Sequence, residues 1–154
     1  MSFDSNLKSL NITLPKAPTP VGSYVAFKII KDIVYISGQL PIKENGEIIK
    51  GKIGNELKIE DGQQAAYFCC INILSQLKSA CKGDLEKVKN CIKITGYINS
   101  TDDFKDQPKI LNTASDMISN VFKKTGTHTR VAVSANSLPL GAAVEIDAIF
   151  EIKI

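Results

Sequence analysis

Apolar residues recur along this chain with two periods, and the switches between them divide it into elements. Between positions 59 and 81, Ala66, Cys69, Cys70, Ile73, Leu74, Leu77 and Ala80 return every three or four residues, the stripe of an amphipathic helix that Gly83 can stop. A clearer stripe follows in Ile110, Leu111, Ala114, Met117, Ile118, Val121 and Phe122. Asp106 can cap that helix, Pro108 suits its first turn, Lys123 and Lys124 complement its dipole, and Gly126 can end it. Near the start, Leu7, Leu10 and Leu14 predict a short helix or ordered arm over residues 1–14, with Asp4 or Ser5 as cap, before Pro15, Pro18 and Pro20 extend the backbone.

The other period is two. Residues 24–30 and 33–37 are β-rich and separated by Lys31 and Asp32, the spacing of a hairpin. Asn45-Gly46 marks a turn within a long loop over residues 43–62, which has room for a short strand at 47–49. A strand is predicted over 88–99, with Val88, Ile92, Ile94 and Ile98 on one parity and Lys89, Cys91, Lys93, Thr95 and Tyr97 on the other. Two more are predicted over 129–135 and 142–152. In the last, Val144, Ile146, Ala148, Phe150 and Ile152 alternate with Glu145, Asp147, Ile149 and Glu151. Two amphipathic helices among five strands imply an α+β fold with a single β-sheet backed by both helices on one face. The opposite face, with Lys89, Lys93, Tyr97, Glu145 and Glu151 interrupted by Ile149, is expected to meet solvent or another subunit.

Composition narrows the function. With 154 residues, 44% hydrophobic, the chain reads as one domain, 1–154, with a sizeable core. A net charge of +3 selects no nucleic-acid or membrane partner. The N-terminal segment has neither the apolar run of a signal peptide nor an arginine for a transit sequence, so a cytoplasmic protein is expected. Cys69, Cys70, Cys81 and Cys91 form no CxxC pair, and with His128 as the sole histidine no zinc spacing exists; buried, reduced thiols are expected instead. Ser37-Gly38-Gln39 is not a nucleophile elbow, no phosphate-binding glycine loop is present, and His128 has no obvious Ser or Cys partner in the sequence. Arg130 stands out as the one arginine beside 18 lysines. Either it serves a site that needs a planar bidentate fork, or it pairs with a surface carboxylate on its strand.

Three ordered motifs carry a resemblance. Thr129-Arg130-Val131-Ala132-Val133 followed by Leu138-Pro139-Leu140-Gly141-Ala142-Ala143-Val144-Glu145-Ile146 resembles the C-terminal signature of the Rid/YjgF family, formerly called the L-PSP endoribonuclease family. Pro20-Val21-Gly22-Ser23-Tyr24 with Ile36-Ser37-Gly38-Gln39-Leu40-Pro41 is similar to that family's N-terminal hairpin, and Gly83-Asp84-Leu85 through Val88-Lys89 to its first helix–strand link. The resemblance spans roughly residues 15–152 and implies a chorismate-mutase-like mixed sheet assembled as a barrel-like homotrimer with clefts between subunits. It places the substrate-carboxylate arginine at Arg130, the acid that positions or activates water at Glu145, the cleft tyrosine at Tyr24, a ligand-facing backbone at Gly38, and a helix asparagine at Asn112.

The activity implied is hydrolysis of enamines and imines such as 2-aminoacrylate to 2-oxo acids and ammonia, with no cofactor or metal and with a 2-imino or 2-oxo acid as the small-molecule partner. His128 stands where the signature has Pro or Ala, Ala132 where many deaminases have Cys, and Asn136 also departs; Lys105 to Pro108 lengthens the chain. These features resemble a longer branch of the family. Residue by residue, Tyr24 could equally be an edge-packing aromatic and Glu145 an ordinary outward carboxylate, while His128 reads as a turn or interface residue. Two other functions stay open: a non-catalytic metabolite-binding or interaction trimer, and an endoribonuclease, against which stand the near-neutral charge and the absence of an aromatic-and-basic strip.

Overall fold

Each helix is bounded by local chemistry that can be read residue by residue. The computed structural model describes residues 1–154. Helix α1 (Phe3–Ser9) is capped by Ser2, whose hydroxyl accepts from the Ser5 amide at 3.1 Å, so the cap lies earlier than the expected Asp4 or Ser5. It packs on the main body through Phe3, edge-on to Phe122 at 4.9 Å, and through Asn6, whose side-chain amide donates to the Val121 carbonyl at 2.7 Å.

Helix α2 (Ile59–Ala80) opens where the Asp61 carboxylate accepts the Lys58 amide at 2.8 Å. It closes through Lys82 and Gly83 at φ +56° and +89°, with the Gly83 amide donating to the Lys78 carbonyl at 2.8 Å. Helix α3 (Gln107–Phe122) has Asp106 at its cap position, but that carboxylate pairs with Lys109 at 3.3 Å and makes no cap bond. Lys123, at φ +55°, breaks α3, so Lys123 and Lys124 lie in a 3-10 turn (Lys123–Gly126) and not in the last helical turn. Gly126 is required there because a Cβ would stand 2.6 Å from the Ile118 carbonyl oxygen, and that oxygen belongs to helical backbone.

The strands are β1 (Phe27–Ile30), β2 (Ile33–Gln39), β3 (Val88–Asn99), β4 (Thr129–Ala135) and β5 (Val144–Ile152). They form one sheet in the order β1-β2-β5-β3-β4, antiparallel except for the parallel β3–β4 pair. Helices α2 and α3 cover one face, where Leu74, Leu77, Leu111 and Ile118 close on Ile94, Ile98, Ile146 and Phe150. The fold is therefore the expected α+β arrangement with a mixed sheet. No helix is long and apolar enough to cross a membrane.

Three expectations need correction. The first strand begins at Phe27 and not at residue 24, which leaves Tyr24 in the connection before it. Residues 47–49 make no strand, only the isolated bridge Ile42–Ile48 with the hydrogen bonds that flank it, and a hydrogen bond from the Ala143 amide to the Ile49 carbonyl at 3.0 Å. In β3 the register against β5 shifts between Val88 and Asn90 and again between Cys91 and Lys93. These bulges reverse the simple alternation: Cys91 turns into the core and Ile92 is left 38% exposed.

The long loop is anchored. Lys52 Nζ donates to Asn99 Oδ1 at 2.9 Å, to the Asn136 carbonyl at 2.7 Å and to the Ser100 carbonyl at 3.3 Å, joining the loop to the ends of β3 and β4. All four cysteines are buried and free. Burial pushes the Cys91 thiol up to about 12 and Cys81 up to about 11, so neither supplies a thiolate at neutral pH.

The bulge in β3 gives a direct test. Ile94→Ala is expected to cost about 2–5 kcal/mol, and Ile92→Ala under about 1 kcal/mol, as measured by urea unfolding.

Candidate active site

The polar face of β5 and the irregular end of β2 meet at one place. The β2–β5 register shifts between Ile36 and Gln39, which sets the Gly38 backbone against the side chain of Glu145. A Cβ on Gly38 would overlap Glu145 Oε1 and stand 2.9 Å from its Cδ, so only glycine lets that carboxyl lie over the strand. The two residues line a cavity of about 400 Å³ with Tyr24, Leu40, Ile42 and Leu140. Its walls are largely apolar, and no Lys, Arg or His of the same chain reaches it.

Two buried amides hold those walls. Asn72 donates to the carbonyls of Leu40 and Ile42, both at 3.0 Å, and Gln76 donates to the Pro18 carbonyl at 2.7 Å. They are one helical turn apart on α2 and 1% and 2% exposed, so the helix that fills the core also positions the cavity's loops. Leu140 overhangs the cavity from the turn Pro139–Gly141 with a left-handed backbone, φ +59°, which costs about 1 kcal/mol in an L-residue.

The Glu145 carboxyl is half-buried and held above the ordinary carboxylate range, first by burial and then by the charge of Asp147; no hydrogen bond or cation offsets these effects. Asp147 in turn accepts from the Tyr97 hydroxyl at 3.2 Å. Burial, followed by the Asp147 charge, also raises the Tyr97 phenol. The site thus has an acid–base group with room beside it.

Of the expected residues, Tyr24, Gly38 and Glu145 share this cavity, and Arg130 does not join them within one chain. Arg130 is on edge strand β4, paired with Ile94, so its side chain leaves the helix-covered face of the sheet, whereas Glu145, paired with Tyr97, leaves the opposite face. Arg130 Nη1 donates to Ser115 Oγ on α3 at 3.0 Å and pairs with no surface carboxylate. Asn112, three residues before Ser115, occupies the same side of α3 and is exposed.

His128 does have a partner, contrary to the expectation from sequence. Its Nε2 is 2.9 Å from Ser115 Oγ, and its Nδ1 is 2.6 Å from the Gly126 carbonyl. Ser115 was invisible to motif spacing because the contact crosses a helix, a turn and a strand. Asn72 and Gln76 had a signal: they are polar residues inside an apolar helical sequence.

The state of Glu145 has a consequence for stability. Its folded carboxyl binds a proton more readily than the unfolded one, so ionising it opposes folding above the usual carboxylate range and has no effect below it. Glu145→Gln is expected to raise the melting temperature at pH 7, with the gain disappearing as the pH falls below about 4, read by thermal melts across pH.

Comparison with known proteins places the fold in a family. Residues 4–151 match the family described as YjgF/chorismate mutase-like, putative endoribonuclease. Protein TCP17 of Trypanosoma cruzi is 40% identical over 150 residues, covering 97% of this chain and 93% of its own. A crystal structure of a protein of unknown function from Agrobacterium tumefaciens, 40% identical, superposes with a TM-score of 0.89 over 99% of this chain and 94% of its own. One from Shewanella oneidensis, described as a putative endoribonuclease, reaches 0.93 at 26% identity over 99% and 100%. More distant relatives include proteins named 2-iminobutanoate/2-iminopropanoate deaminase, from Dermatophagoides farinae at 27% over 92% of this chain and 95% of its own, and from Homo sapiens at 26% over 90% and 86%. With a match over nearly its whole length and the chorismate-mutase-like sheet, the chain belongs to the YjgF/Rid family.

Proposed function

We propose that this protein is a deaminase of 2-imino acids and their enamine tautomers, releasing 2-oxo acids and ammonia from a site shared between two copies of the chain. The observation that carries the reading is the Glu145 carboxyl, raised above its usual range and unpaired, lying over the bare backbone of Gly38 in an apolar cavity. An imine carbon is already electrophilic, so catalysis needs a placed water, a base beside it and a grip on the substrate. Glu145 takes a proton from water as the water oxygen bonds to the imine carbon, and passes it to the imine nitrogen to give the carbinolamine. It then takes the hydroxyl proton and delivers it to the amino nitrogen as the C–N bond breaks, leaving the 2-oxo acid and ammonia. The relatives named as deaminases support this chemistry.

The carboxylate of the substrate needs a cation that the cavity lacks in one chain. Arg130 supplies it from a second copy, with Asn112 beside it and Tyr24 and Gly38 completing the substrate-binding set. The outer face of the sheet favours self-association: Ile30, Tyr35, Val131 and Val133 are 49%, 47%, 43% and 43% exposed there. Closure into a cyclic homotrimer repeats the same contact three times and buries this face. One guanidinium per site suits one carboxylate and not a run of phosphates, so the ribonuclease reading has no electrostatic support in the cavity.

The test generates 2-aminoacrylate or 2-iminobutanoate in situ and measures ammonia and 2-oxo acid. Wild type is expected to exceed the spontaneous rate, with Glu145→Gln lower by about 10²–10⁴-fold and Arg130→Ala also impaired. Random mixing of those two variants is expected to restore about a quarter of wild-type activity, since one interface in four then pairs an intact arginine with an intact glutamate. Wild-type protein that stays at the spontaneous rate, yet binds 2-oxo acids, would identify a metabolite-binding trimer instead.

A further inference from the structure

Arg130 is held by a run of hydrogen bonds whose direction is set from one end. The Gly126 carbonyl can only accept, so His128 Nδ1, 2.6 Å away, carries a proton. The neutral imidazole then presents a lone pair at Nε2, and the Ser115 hydroxyl, 2.9 Å away, donates to it. That choice turns a lone pair of Ser115 Oγ toward Arg130 Nη1, which donates at 3.0 Å and could do nothing else, since a guanidinium has no acceptor. Each bond fixes the polarity of the next. The far end is rigid, because Gly126 is packed against the Ile118 carbonyl with no space for a Cβ.

We infer that Ser115 and His128 are positioning residues for the substrate carboxylate, acting by fixing the guanidinium of Arg130. This rests on the proposed role of Arg130. Arginine is a long side chain on an edge strand, half-buried here, and immobilising it at the moment of binding reduces affinity. Ser115 uses one of its five N–H groups and leaves the other four, enough for a bidentate carboxylate. The bond comes from α3 and the guanidinium from β4, so the fork is oriented by elements that core packing already fixes through Leu111, Ile118 and Ile94. His128 touches no substrate in this arrangement. Its task is to keep the Ser115 proton pointing away from Arg130.

The test compares KM and kcat for 2-iminobutanoate, and Kd for 2-oxobutanoate by calorimetry, in wild type, Ser115→Ala, Ser115→Thr, His128→Asn and Arg130→Ala. Asparagine retains a donor at the Nδ1 position for the Gly126 carbonyl, and its shorter side chain puts no acceptor at the Nε2 position that faces Ser115. Ser115→Ala and His128→Asn are expected to raise KM and Kd about tenfold with kcat within about twofold, the signature of lost ground-state binding. Ser115→Thr, which keeps the hydroxyl, is expected to return both to near wild type.

If Arg130→Ala weakens binding but Ser115→Ala lowers only the melting temperature, Ser115 is merely structural and the inference is overturned while the carboxylate role of Arg130 stands. If Arg130→Ala itself leaves KM and Kd unchanged, the role of Arg130 fails and the positioning role fails with it. Calorimetry separates these outcomes even where turnover is absent.

Discussion

The sheet has two faces, and the chain has helices for only one of them. α2 and α3 bury the face carried by Ile94, Ile98, Ile146, Ala148 and Phe150, and this contact supplies the core on which everything else is mounted. The outer face must then satisfy two demands at once. It carries the acidic residues of β5, Glu145, Asp147 and Glu151, and it exposes Ile30, Tyr35, Val131 and Val133. Such a face is poorly matched to water alone, and the candidate base Glu145 lies at one end of it. A candidate base and an apolar surface on the same side of one sheet fit the proposed site completed by another subunit.

The same helices that fill the core also shape the chemistry. Asn72 and Gln76 stand on the apolar side of α2, where an unpaired amide would be costly, and each is satisfied by carbonyls of the cavity loops. Loop geometry is thereby coupled to core packing. On the other side, α3 buries Leu111 and Ile118 while presenting Ser115 to Arg130. Both halves of the proposed site are therefore positioned by polar residues on the helices that fill the core. The left-handed Leu140 and the glycine at 38 are local departures from ideal backbone or side-chain choice, and both occur at the cavity, where strain and close approach have a use.

Much of the fold was legible because its signals are periodic. The stripes of α2 and α3 and the alternation of β5 leave little freedom, and the boundaries of β3 and β4 fall where the pattern puts them. What periodicity could not show is where it is broken. The bulges near Cys91 invert an alternation that looks regular in sequence, because a bulge has no signature in side-chain type. Residues 47–49 have strand-like composition but find only an isolated bridge, since the neighbouring loop is held by Lys52 and by Ala143. In the site, Gly38, Glu145 and Tyr24 were legible through the family resemblance, and the structure gathers them. The Ser115–His128–Arg130 chain was not, for its members belong to three elements whose proximity is decided only by tertiary packing.

Arg130 and Glu145 leave opposite faces of one sheet, and this has a consequence in cellular quantity. In the proposed arrangement a protomer would carry two half-sites, neither of which would work without a neighbour. Its activity would then depend on abundance more steeply than in proportion, near the concentration at which copies separate. Below that threshold, folded protein would accumulate without output; above it, each added chain would complete sites on its neighbours. Dosage would then become a control on function that requires no separate effector, set by how tightly the uncovered face of the sheet binds itself.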